Sequence, residues 1–141
     1  MSAPTVTWTG TATAGGATTN SGAVRCQYAA EAWFSIKNTG AAALGAGGVA
    51  IQQSTDGGVT FASLDTTNVG TAVNSAAANS LAAGAIARLG VTPKVATSTF
   101  GNVTHFRLAI SGNAGASPAN DTAVTVTLTA NFDMRAPSGN E

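Results

Sequence analysis

Ser54-Thr55-Asp56-Gly57-Gly58-Val59-Thr60-Phe61 is the one stretch of this chain where acids, hydroxyls and glycines recur at a telling spacing. Asp56 is placed to accept hydrogen bonds from nearby backbone N–H groups, and Gly57 and Gly58 supply the positive φ of a tight turn. Thr60 and Phe61 then restart an extended strand. Elsewhere the chemically capable residues are few and scattered. Cys26 is the only cysteine and His105 the only histidine, far apart in sequence. A thiol nucleophile needs an adjacent base, so a lone cysteine between Val24 and Tyr28 reads as a small buried apolar residue. It also excludes an intrachain disulfide. The acids are Glu31, Asp56, Asp65, Asp121, Asp133 and Glu141. Calcium takes about six to eight oxygens, usually from several carboxylates, and nothing gathers these acids. No pair is marked by spacing for glycosidic cleavage. The reading is therefore of no catalytic residue, no metal, no cofactor and no enzyme.

The elements that position these residues follow from composition and periodicity. A length of 141 residues suits one domain, 1–141, with an extended N-terminal arm and a short C-terminal tail. Charged residues are only 9%, six basic and six acidic, for a formal net charge of zero. That argues against a nucleic-acid groove and leaves little self-repulsion between copies. Thr, Ser, Asn, Ala and Gly must cover the surface, and such side chains are buried against a partner at small entropic cost. Met1-Ser2-Ala3-Pro4-Thr5 lacks the basic and apolar regions of a secretion signal, and no stretch reaches membrane-span length. The expectation is a protein made in the cytoplasm, without a membrane partner.

Period-2 alternation dominates the chain and helix patterns are scarce. Strands are predicted over Thr5–Ala14, within Val24–Asn38, over Gly48–Gln53 and Val59–Leu64, over Ala85–Thr92, over Val103–Ser111 and over Thr122–Arg135. Ala32, Phe34 and Ile36 share one face, with Trp33, Ser35 and Lys37 on the other. In the last strand Val124, Val126, Leu128, Ala130 and Phe132 face in, and the intervening Thr, Asn and Asp residues face out. Residues 65–80 read mostly as loop. The pattern predicts about seven or eight strands in an all-β antiparallel β-sandwich, jelly-roll or Ig-like.

Trp8, Trp33, His105 and Arg107 are the candidate contact residues. His105 alternates with Arg107 on the face opposite Phe106 and Leu108. Trp33 lies opposite Phe34 and Ile36, so one large ring points outward; protein contact is favoured over glycan contact.

The octapeptide resembles the Asp-box of sialidases and other β-rich proteins, with Phe61 where that family usually has Trp. It occurs once, in a chain too short for a propeller. The resemblance therefore implies a structural hairpin, with Ser54, Asp56, Gly58, Thr60 and Phe61 in turn-forming roles. A broader likeness runs through the Val-x-Trp strand, Ala32-Trp33-Phe34-Ser35-Ile36-Lys37-Asn38-Thr39-Gly40, Gln53 to Gly58, Leu81-Ala82-Ala83-Gly84, Phe106-Arg107-Leu108 and the terminal Thr-Val-Thr-Val-Thr-Leu strand. This resembles small β-sandwich structural proteins of tailed bacteriophages. It implies a virion protein of the capsid decoration or cement type that binds the major capsid protein and self-associates, commonly as a trimer. A neck, tail or head-fibre component, or a carbohydrate-binding module meeting host-surface glycan, is the alternative.

Overall fold

A computed structural model describes residues 4–12, 18–44, 49–94, 100, 102–111 and 122–131. The arm at residues 1–3, the inward Phe132 and the tail to Glu141 lie outside the described residues, as do Asp121 and Asp133.

The strands are β1 (Thr5–Ala12), β2 (Thr18–Asn20), β3 (Val24–Arg25), β4 (Glu31–Asn38), β5 (Val49–Ser54), β6 (Ala62–Ser63), β7 (Gly70–Val73), β8 (Ile86–Pro93), β9 (His105–Ser111) and β10 (Thr122–Asn131). They form two antiparallel sheets of five strands. The first has the order β1-β10-β4-β8-β7; the second has β2-β9-β5-β6, with β3 also on β9. This is the expected β-sandwich. The ten strands among the described residues exceed the expectation because β2 and β3 have only two or three residues each, too few to show a period, and because β7 lies in the stretch read mostly as loop.

Alternation sets the two faces of each sheet. Ala32, Phe34 and Ile36 of β4, Leu89 and Val91 of β8, and Val124, Val126, Leu128 and Ala130 of β10 are buried on the inner side. They meet Val24, Val49, Ile51, Phe106, Leu108 and Ile110 of the second sheet. Phe106 joins the layers edge-to-face with Phe34, at 6.4 Å between centroids, and with Phe100 at 4.8 Å. On the outer side of the first sheet, Thr5, Thr7 and Thr9 stand opposite Thr129, Thr127 and Thr125. Trp33, Ser35 and Lys37 continue this face across β4, where Lys37 stands opposite Thr125.

Three segments depart from the sequence reading. The strand expected over Val59–Leu64, restarting at Thr60 and Phe61, shortens to β6 (Ala62–Ser63), because Val59 N and Thr60 N are held in the turn by Asp56 Oδ1. The stretch from Val24 to Asn38 holds β3 and β4 in different sheets, separated by a turn in which Ala29 N donates to Cys26 O. Tyr28 takes φ 62 there, with no Gly or Asn to announce it. Residues 65–80 contain β7 and a 3-10 turn at Ser75–Ala78. Gly70 hides that strand from periodicity, yet the site demands glycine: a Cβ would lie 2.6 Å from Val91 and 2.9 Å from the Thr92 carbonyl.

Candidate functional site

The hairpin β5–β6 carries the loop from Thr55 to Phe61, and its pairing of Gln52 with Ser63 and Gln53 with Ala62 is the turn expected from sequence. Ser54 is buried at the end of β5. Its hydroxyl donates to Asp56 Oδ1 at 2.7 Å and accepts from Gly58 N at 2.9 Å. Asp56 Oδ1 also accepts from Val59 N and Thr60 N, at 3.2 and 2.9 Å, and Oδ2 accepts from the Thr60 hydroxyl at 2.5 Å. Gly57 and Gly58 take φ of 82° and 88°. These bonds all favour the ionised carboxylate, those from Thr60 most, and hold Asp56 well below the usual carboxylate range. With its oxygens committed to its own loop, Asp56 is a turn-former.

Thr104 anchors this loop to the sheet. Its N–H donates to Ser54 O at 2.7 Å, its hydroxyl donates to the same carbonyl at 3.1 Å, and the hydroxyl accepts from Gly57 N at 3.0 Å. His105 follows, paired across the ladder with Ser54. Its Nδ1 lies 3.0 Å from the Thr104 hydroxyl. Burial and then the nearby Arg25 charge lower the His105 pKa below its ordinary 6.5, favouring the neutral ring. Gly58 rests against that ring, where a Cβ would stand 3.5 Å away. Arg107 donates from Nε to Gln52 Oε1 at 2.8 Å and lies 3.9 Å over the Phe61 ring.

The structure thus brings Ser54, Asp56, Gly58, Thr60, Phe61, His105 and Arg107 to one region of the second sheet. The tryptophans lie apart from it. Trp33 is on the outer face of the first sheet, with Arg88 5.0 Å over its ring. Trp8 is half-buried on the core-facing side of β1, packed against the core. Sequence reasoning passed over Thr104, Arg25 and Tyr28. Thr104 is one more threonine among many, and its role depends on a loop about fifty residues earlier in sequence. Tyr28 is 61% exposed in a left-handed backbone that nothing nearby in sequence marks, and Val59, next to the Gly57-Gly58 turn, is 80% exposed at the loop tip.

Two further groups are taken up by their own surroundings. Cys26 is buried, and desolvation pushes its thiol up to about 12. Asp65 accepts from Thr67 N, Asn68 N and the Asn68 amide, closing its own turn. Among the described residues no three His, Cys, Asp or Glu side chains gather where they could hold a metal ion.

The fold and this site define a β-sandwich in which a polar cluster ties a hairpin to its sheet. No family model matches the chain, and no curated protein matches it. Solved structures similar to it include the C-terminal extracellular domain of Mycobacterium tuberculosis EmbC, at 17% identity and TM-score 0.42, covering 92% of this chain and 43% of that one. Another is from infectious bursal disease virus, Gx strain, at 15% identity and TM-score 0.43, covering 98% of this chain and 31% of that one. A third, from the disulfide-linked pili that form Bacillus endospore appendages, has 16% identity and TM-score 0.34, covering 94% and 93%. This chain therefore spans less than half the length of the first two.

Proposed function

We propose that this chain is a non-enzymatic structural protein of a bacteriophage virion, of the capsid decoration type, that binds the major capsid protein and stabilises the assembled shell. The observation that carries this reading is the outer face of the first sheet. Thr5, Thr7, Thr9, Thr125, Thr127 and Thr129 form opposed pairs across β1 and β10, without a charged side chain between them. Threonines lose little rotamer freedom when covered, so a flat partner surface can be met over several strands at low entropic cost. A protein that binds the assembled shell better than free subunits raises shell stability by mass action. The loop from Ser54 to Phe61 is read as an Asp-box in a structural role, which its hydrogen bonds support. Arg88 over Trp33 weighs against the glycan-binding alternative, since a sugar ring would have to displace it.

Mass spectrometry of purified virions tests the proposal. The expected result is a copy number near that of the major capsid protein, together with shells that melt at lower temperature when the chain is omitted. A dozen copies or fewer would shift the reading to a neck, tail or head-fibre position, and absence from the particle would end it.

A further inference from the structure

β1 is an edge strand unlike the other edges of this molecule. β7, β6 and β2 have four, two and three residues. β1 has eight, TVTWTGTA, with no charge and no proline. Among the described residues no strand lies beyond it in its sheet. Long edge strands are ordinarily blunted by a charge, a proline or a bulge, because their outward N–H and C=O groups template pairing with another strand.

The register shows which groups point outward. Ala130 N donates to Pro4 O at 3.1 Å, one step before the Thr5–Thr129 pair. Alternate residues of an antiparallel strand bond to opposite sides. Val6, Trp8 and Gly10 therefore bond toward β10, while Thr7 and Thr9 turn their N–H and C=O groups to the open side. The Thr11 carbonyl points the same way but accepts from the Thr19 hydroxyl at 3.0 Å, which closes that end of the edge. The open stretch centres on Trp8, whose ring folds over Gly10.

We propose that β1 pairs antiparallel with β1 of a second copy of this chain, about a two-fold axis at Trp8, with Thr7 of each copy facing Thr9 of the other. Each Thr7–Thr9 pair exchanges both of its main-chain hydrogen bonds. The two Trp8 side chains become cross-strand neighbours on the core side, where each is half-buried in one copy. A second copy fits this edge because two identical antiparallel strands are self-complementary about a two-fold. It also sets no like charges together: residues 4–24 hold no charged side chain, and the formal net charge of the whole chain is zero. The pairing extends the threonine outer face across both copies. It stands independently of the shell reading, and it predicts a dimer where the phage resemblance implies a trimer.

Sedimentation velocity and native mass spectrometry test it, over a concentration series reaching about 1 mM, the weak end of specific affinity. The wild-type chain is expected to form a dimer whose fraction rises with concentration, with Thr7 and Thr9 amides protected from exchange only in the dimer. Thr7→Pro removes an outward N–H and no bond to β10; it is expected to weaken association about tenfold or more while the far-UV spectrum is kept. Thr127→Lys, on the same face but one strand inward, is expected to leave the dimer intact. Should Thr7→Pro not fold, Thr7→Lys with Thr9→Lys places charges at the seam and carries the same expectation. A wild-type chain that stays monomeric throughout, forms a trimer, or dimerises equally well with β1 altered would overturn the proposal.

Discussion

Asp56 directs both carboxylate oxygens back into its own loop, and that choice separates a turn device from a catalytic acid. Its pKa is lowered from an ordinary 3.8, chiefly by Thr60. A carboxylate depressed in the folded state adds stability that is present above its unfolded pKa and is lost as pH falls through the folded one. Asp56→Asn keeps the shape and an acceptor oxygen but removes the titration. The wild-type chain is expected to lose urea resistance as pH falls below about 3.8, and Asp56→Asn to lose less over that range while being less stable at pH 7. Asp65, lowered in the same direction by Asn68 and the Thr67 N–H, leaves a residual slope in the variant. Equal acid sensitivity in the two proteins would assign the slope elsewhere. The loop's donors and acceptors were readable from the order of residues, because they are local. Thr104 was not, because the strand that supplies it is brought to the loop by pairing β9 with β5.

At the level of elements, glycines mark close approach as well as turns. Gly90 lies in the middle of β8, opposite Trp33. A Cβ there would stand 2.5 Å from the Trp33 ring. Nothing beside Gly90 in the sequence marks this contact; in the sheet it is the seat of a tryptophan. Gly90→Ala is expected to cost about 1–3 kcal/mol by overpacking and to shift tryptophan emission as Trp33 is lifted away from Arg88. Unchanged stability and emission would show that the ring has room to move. The same logic explains why β7 escaped notice. Its small residues fit beside Val91 and Phe100, but they are too small to print an apolar period.

For the whole molecule, stability rests on contact between two sheets rather than on cross-links. Phe34 is fully buried and meets Phe106 across the layers. Phe34→Ala is expected to cost about 3–5 kcal/mol, read as a lower urea midpoint with fluorescence and circular dichroism falling together. Separate transitions by the two probes would mean that the sheets unfold independently. The sandwich was legible beforehand because period 2 assigns each strand an apolar and a polar side, and burial of the apolar sides requires two layers. β4 and β10 were foreseen with their inward residues in this way. β2 and β3 were too short to carry a period, and the turn at Tyr28 lacked the residues that usually announce one.

The sequence by itself determined the all-β class, the hairpin at Asp56 and the scarcity of charge along β1 and β10, since each follows from neighbours along the chain or from composition. Only the tertiary structure decided which strands lie at the edges, that His105 and Arg107 brace the hairpin, and that Trp8 turns inward while Trp33 turns outward. Those outcomes depend on which distant strands pair and in what register, and a shift of one residue would have exchanged every face.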